Sequence, residues 1–338
     1  MPTIKDVARL AGVSTATVSR VLNGEKVKEE NRMRVEEAVK QLNYSTNTLA
    51  RALKTNKTMT VGVIVPDLSN VFFTTIAKGI EKALHPYGYS IMVCDSDESV
   101  EGEREKIAFL KDKFVDGIII IPAGDQQPGL KRLQDDGIPI VLVDRLIEDI
   151  QADAVLVDNT NGAYDAVEHL IVNGHRRIGL ISGPRHIFVG KERLIGYERA
   201  YTDYQLSIDP EIVKYGDLHI ESGYKLMNEL LDLPSPPTAI FAANYYMSIG
   251  AIMAANERHI NIPEELSFIG FDDIELTKVI KPPLTVVVQP MDKMGQAAAE
   301  LIYKRMTGDD SGPFPAILRL KTQLIKRESV KKVNYPCL

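Results

Sequence analysis

The sequence has no tryptophan, only two cysteines and only six histidines in 338 residues, and each scarcity removes a class of function. Cys94 sits inside an apolar run and Cys337 near the end, which suits neither a zinc site nor a disulfide framework; both read as buried or incidental thiols. His85, His169, His175, His186, His219 and His259 are scattered without metal-ligand spacing. Neither G-x-G-x-x-G nor G-x-S-x-G occurs. GPRHIFVGKE (183–192) has no glycine at the spacing a phosphate loop requires, and Lys191 is followed by Glu192. No reaction centre is visible, so no enzyme activity, cofactor or metal is expected. No apolar run reaches the roughly 18 residues of a membrane span. Lys5, Asp6 and Arg9 stand where a signal core would lie, so a cytoplasmic location without membrane contact is expected.

What is present is ample size and an uneven charge. Hydrophobic residues make up 44% of the chain, enough core for two or three domains. The net charge of −6 conceals a division, because residues 1–58 carry eleven Lys and Arg against six Asp and Glu, a net of +5, and the remainder carries −11. A basic module on an acidic body indicates that only the first part meets phosphates.

Within that basic module, IKDVARLAGVSTATVSRVLN (4–23) reads as two short helices hinged on a glycine. Ile4, Val7, Ala8 and Ala11 recur at helical spacing, Gly12 tolerates the positive φ of a tight turn, and Ser14 suits an N-cap. Val13, Val18, Val21 and Leu22 then face the first helix. This leaves Ser14, Thr15, Ala16, Thr17, Ser19, Arg20 and Asn23 outside, a surface of short side chains and one Arg that fits a major groove. The bare pattern equally fits an ordinary helical hairpin with a solvated face. A third helix is expected at about 29–42 through Val35, Ala38, Val39 and Leu42. After Tyr44, the stretch STNTLARALKTNKT has Asn47, Leu49, Ala50 and Leu53 at the spacing of a short helix, although its composition reads as a solvated linker.

From Met59 apolar runs alternate with helical stretches, the signature of a parallel sheet. Strands are expected at 60–65, 89–94, 117–121, 140–143, 155–159, 178–182, 238–244 and 266–271. Helices are expected near 71–86, 101–114, 127–136, 162–173, 190–203, 222–232 and 246–258. The rhythm restarts once, which predicts two tandem α/β lobes with a ligand cleft beyond their strand ends. Polar residues recur at those ends: Asp67 and Asn70, Asp144 and Arg145, Asn244, Asp272, and Gln289 closing LTVVV. Phe72 and Phe73 stand beside Asn70, and Arg193 opens a second-lobe helix. Capping explains any one of them; the repetition points to a polyhydroxylated ligand, whose hydroxyls need paired donors and acceptors and whose C–H face needs an apolar ring.

Together with PDLSNVFF, DGIIII, VDR, VDN, GHRRIGLISGP, RLIGY, IPEELSFIGFDD and LTVVVQP, taken in order, the opening motif resembles the lactose-repressor family of bacterial transcription regulators from Thr3 to about Glu328. The resemblance implies an all-α helix-turn-helix head and an α/β two-lobed body like the periplasmic binding proteins, with doubly wound parallel sheets. The implied domains are a DNA-binding head at 1–46, a hinge helix and linker at 47–58, and an effector-binding and dimerisation domain at 59–333. In that last domain the N-lobe is about 59–157 plus 290–318, and the C-lobe about 158–289 plus 319–333. By the same resemblance Thr15, Ala16 and Arg20 read operator bases; Ser14, Thr17, Ser19, Asn23 and Tyr44 hold the backbone; Asn47 starts the hinge helix; and Leu53 is its minor-groove wedge. The body also resembles ribose-binding proteins, which places Asn70, Phe72, Phe73, Asp144, Arg145, Arg193, Asn244, Asp272 and Gln289 around a small sugar, ribose or another pentose, between aromatic rings, and Tyr245 beside Asn244 adds a ring to that pocket.

Three positions depart from the family pattern. Thr46 replaces a usual Pro before the hinge, Lys28 replaces a Ser or Thr cap at the third helix, and Tyr245 stands where an Asp is common. The expected protein is a homodimeric repressor of carbohydrate-utilisation genes on a palindromic operator, the tail lacking the leucine heptad of a tetramer. A co-repressor-dependent regulator of purine or phosphoprotein type, and a sugar-binding transport receptor, remain as alternatives.

Overall fold

A computed structural model describes residues 2–22, 24–44, 57–124, 128–147, 149–309 and 311–333. The expectations at Asn23, Thr46, Asn47 and Leu53 fall outside these residues. The chain divides into two compact units, Met1–Thr58 and Met59–Leu338.

In the first unit, helix α1 (Ile4–Ala11) begins with a reciprocal cap, the Thr3 hydroxyl accepting from the Asp6 amide while the Asp6 carboxylate accepts from the Thr3 amide at 2.9 Å. It ends at Gly12, whose φ of 63° is the left-handed conformation that glycine takes without strain. Helix α2 (Thr15–Leu22) starts at Ser14, whose Oγ accepts from the Thr17 amide at 3.1 Å. Lys28 gives α3 (Glu29–Gln41) no side-chain cap, and Glu29 and Glu30 complement the helix dipole instead. Val7, Ala8, Ala11, Val18, Val35 and Ala38 form the core, with Val13, Val21, Leu22, Val39, Leu42 and Tyr44 against it.

The second unit opens with β1 (Thr60–Val65), α4 (Val71–Leu84), β2 (Ser90–Asp95), α5 (Val100–Asp112), β3 (Gly117–Ile120), α6 (Pro128–Asp135), β4 (Ile140–Val143) and β5 (Asp153–Val157). It continues with α7 (Asn159–Val172), β6 (Ile178–Ser182), α8 (Phe188–Asp203), β7 (Val213–Tyr215), α9 (Ile220–Leu231), β8 (Ala239–Ala242), α10 (Tyr245–Glu257), β9 (Ser267–Phe271) and α11 (Glu275–Val279). Last come β10 (Thr285–Val288), α12 (Met291–Met306), β11 (Ile317–Leu320) and β12 (Gln323–Ile325).

The strands form two sheets of the same winding, β11-β5-β4-β3-β1-β2 and β12-β10-β9-β8-β6-β7. Every pairing is parallel except β10 with the edge strand β12. In β1 alternate side chains serve opposite faces: Val61, Val63 and Val65 join the α4 and α12 layer, and Ile64 the α5 and α6 layer. Both faces are covered, so the strand reads as a continuous apolar run. The chain passes between lobes after β5, after β10 and after β11.

The stretch 155–159, expected as a strand, is corrected in part: β5 ends at Val157, and the Asp158 side chain caps α7 by accepting from the Asn161 amide at 3.2 Å. The N-lobe segment expected to end at 318 runs further, because β11 pairs Arg319 and Leu320 with Leu156 and Val157 on the first sheet. Strands β7, β11 and β12 and helix α11 escaped the sequence reading because they are short and, in the strands, mostly exposed or half-buried, leaving no apolar run.

Helices α9 and α10 touch backbone to backbone, and a Cβ at Gly250 would overlap the Ile220 carbonyl oxygen. Gly250→Ala is expected to cost about 1–3 kcal/mol, read as a lower urea midpoint at unchanged slope. An unchanged midpoint would show that the two helices separate freely.

Candidate functional site

The ends of strands from both lobes meet at a cleft. All ten residues expected around a sugar line it: Asn70, Phe72 and Phe73 at the start of α4, Asp144 and Arg145 after β4, Arg193 in α8, Asn244 and Tyr245 at the start of α10, Asp272 after β9 and Gln289 after β10. Arg193 does not open its helix but lies in its second turn, since α8 starts at Phe188.

The two aspartates occupy equivalent places in the two windings. Asp144 has φ 64° and Asp272 φ 77°, left-handed values that cost a non-glycine residue about 1–3 kcal/mol. Each is held by the neighbouring strand, the Asp144 amide donating to Val155 O at 2.9 Å and the Asp272 amide to Val287 O at 2.8 Å. Both side chains are buried beside buried Arg145 and Arg193. Burial pushes the Asp144 carboxyl above its ordinary pKa against the pull of Arg145 and Arg193. Burial likewise raises Asp272, against Arg193 and the hydrogen bond from Gln289 Nε2 at 2.6 Å. Arg193 is pushed down by burial and held up by Asp272 and Asp144. Its Nε donates to Asn159 Oδ1 at 2.8 Å, its Nη1 donates to Ala243 O, and its guanidinium stacks 3.7 Å from the Phe271 ring centroid.

Three buried polar atoms of this cluster have no hydrogen-bond partner: Asp144 Oδ1, Arg145 Nε, which stands 3.8 Å from Asp144 Oδ2, and Gln289 Oε1. Two acceptors and one donor are what hydroxyl groups satisfy, each as donor to one and acceptor from the other. Phe72 and Phe73 meet edge to face at 5.3 Å on the N-lobe side, while Tyr245 and Tyr246 line the cleft from the C-lobe. Asn244 is largely occupied by structure, its Oδ1 accepting from the Met247 amide at 3.0 Å and its Nδ2 donating to Leu218 O at 2.8 Å.

Val189, Glu98, Leu218, His219 and Tyr246 also line the cleft and were missed in the sequence. Glu98 follows the edge strand β2, where the acidic run DSDE was the available signal. His219 follows β7, which is too short to announce a strand end.

In the head, Ser14, Thr15, Ala16 and Arg20 are exposed, Thr17 and Ser19 are half-buried, and Tyr44 packs partly into the core. Arg20 Nε stands 3.9 Å from Glu25 Oε2, an exposed pair that contributes little and leaves the guanidinium available. Among the described residues no group of His, Cys, Asp and Glu forms a metal site, and no helix is long and apolar enough to cross a membrane.

Two family descriptions match this chain: "Bacterial regulatory proteins, lacI family" over residues 3–47, and "Periplasmic binding proteins and sugar binding domain of LacI family" over 58–327. The chain belongs to the LacI family of bacterial regulatory proteins, helix-turn-helix transcriptional repressors with a sugar-binding type of body. It is similar to the HTH-type transcriptional repressor CytR of Escherichia coli K12, 37% identical over 313 residues that cover 92% of this chain and 91% of the relative. Among solved structures it resembles the Lac repressor dimer bound to operator and the anti-inducer ONPF, with TM-score 0.87, 26% identity, and coverage of 98% and 99%. A LacI family transcriptional regulator from Enterococcus faecium with bound ribose matches with TM-score 0.73, 31% identity, and coverage of 81% and 100%.

A further buried acid reaches the cleft through the backbone. Arg145 Nη1 donates to Pro122 O at 2.9 Å, and the next residue, Ala123, donates its amide to Glu103 Oε2 at 2.7 Å. Glu103 is fully buried, and burial pushes its pKa up to about 7 against the Ala123 amide and Arg145. A folded-state pKa raised above the ordinary 4.5 means stability that is fully present below that value and lost as pH rises through about 7. Glu103→Gln carries no such charge. From about pH 5 to about pH 8 the variant should therefore gain up to about 3 kcal/mol over the native chain in urea unfolding. Equal pH slopes for the two proteins would contradict the assignment.

Proposed function

We propose that this regulator acts in the cytoplasm as a homodimeric repressor of carbohydrate-utilisation genes, and that its operator affinity changes when a small sugar, ribose or another pentose, fills the cleft. The observation that carries the sugar reading is the trio of buried atoms without a hydrogen-bond partner on Asp144, Arg145 and Gln289, set among aromatic rings. The ribose bound to the Enterococcus faecium relative supports the choice of a pentose. In this reading residues 1–46 are the DNA-binding head, 47–58 the hinge and 59–333 the effector and dimerisation domain.

Thr15, Ala16 and Arg20 read bases of a palindromic operator, with Ser14, Thr17, Ser19 and Tyr44 on its phosphates and sugars. Asp144 and Arg145 from one lobe, and Arg193, Asp272 and Gln289 from the other, pair with sugar hydroxyls. A sugar changes operator affinity only if it binds one arrangement of the lobes better than the other. Titrating operator binding with sugar gives the direction of the response, release or co-repression.

A thermal-shift screen of pentoses, hexoses, hexuronates and their phosphates tests the effector class, since a ligand of the native state raises the melting temperature. Ribose or another pentose is expected to raise it, and a screen in which no sugar does so overturns the sugar reading. Arg20→Ala is expected to relax base preference by about 1–3 kcal/mol at one position. Asp144→Ala should abolish the sugar response and leave operator binding intact in an anisotropy titration; loss of both in that variant contradicts the division of labour.

A further inference from the structure

At the mouth of the cleft one side chain from each lobe faces the other. Glu98 comes from the turn after β2, and His219 precedes α9. The Glu98 Oε2 stands 4.0 Å from His219 Nε2, while its Oε1 stands 3.9 Å from Arg145 Nη2. The carboxylate therefore lies between a cation fixed in its own lobe and an imidazole carried by the other. His219 Nδ1 is 3.0 Å from the Asp217 carbonyl oxygen, so that nitrogen carries hydrogen towards the backbone and Nε2 is the atom presented to Glu98.

Unlike the buried aspartates beneath them, Glu98 is 29% and His219 52% exposed at the side chain, which places them at the solvent edge. Both supporting turns are left-handed at non-glycine residues: Asp97 at φ 53°, Glu98 at 48° and Leu218 at 74°. Such conformations persist only where surrounding bonds hold them. Here the Glu98 amide donates to Pro66 O at 2.9 Å, the Asp97 amide to Asp95 Oδ1 at 2.7 Å, and the His219 amide to Asp217 Oδ1 at 2.9 Å. Asn244, inside the cleft, donates to Leu218 O and so braces the second turn from the ligand side.

We propose that Glu98 and His219 form a gate across the mouth of the cleft, closing behind the effector and slowing its release. At 4.0 Å the groups are in ion-pair range, and a small further approach of the lobes brings them into hydrogen-bond distance. An effector that stays inside the mouth keeps this contact between the lobes, and one that protrudes past it forfeits it. The gate rests on the reading of the cleft as the effector site.

Amide hydrogen exchange of the full-length protein tests it, with D-ribose as the probe and Glu98→Gln, His219→Gln and the double variant for comparison. Without sugar, each single substitution should speed exchange in the opposite segment as well as its own, 217–222 for the first and 95–99 for the second. With D-ribose, both segments should slow together in the native protein. Each single variant should release the sugar about fivefold faster, and the double variant no faster than either. Effects confined to the substituted segment, or losses that add in the double variant, overturn the gate. D-ribose that fails to slow exchange while the effect between segments persists refutes the ribose reading and leaves the gate standing.

Discussion

The cleft depends on one cation. Arg193 is buried between a carboxylate of each lobe, and it opposes the desolvation that pushes both acids towards their neutral forms. With Arg145 the cluster holds two positive and two negative groups, one of each sign from each lobe. Removing one partner of such a set typically costs about 3–5 kcal/mol, because the remainder is left uncompensated. The stack on Phe271 and the bonds to Asn159 and the Ala243 carbonyl keep the guanidinium in place. A hydroxylated ligand entering here meets groups already oriented, which reduces what binding must order.

The symmetry of the two windings accounts for the position of this cluster. Each lobe repeats the same strand order, and each ends its fourth strand in a left-handed aspartate held by the fifth. Neither lobe alone surrounds a ligand, so a change in their relative angle alters the site and a change in the site biases the angle. That reciprocity is the physical basis for regulation by a small molecule, and it needs no contact between the molecule and DNA.

Much of this was legible in the sequence for identifiable reasons. Strands covered on both faces leave apolar runs, so the residues that terminate them, Asp144, Asp272 and Gln289, stand out by contrast. The face of α2 was legible because helical periodicity separates Val18 from Thr15, Ala16 and Arg20. Glu98 and His219 were not, because Glu98 lies beyond the end of β2 in an acidic run that reads as solvated surface, and His219 follows a three-residue strand that leaves no apolar run. The role of Glu103 was invisible for the opposite reason: a glutamate in a helix of ordinary polar composition reads as surface, and only the fold shows it buried against Ala123.

If cleft and operator are energetically linked, the linkage has a quantitative signature. With an operator selected from random duplex DNA, the affinity of the protein for D-ribose is to be measured by calorimetry with and without the duplex, and its affinity for the duplex with and without D-ribose. The two ratios are expected to be equal and to differ from one, as binding linkage requires. Identical D-ribose affinity in the presence and absence of operator would contradict it.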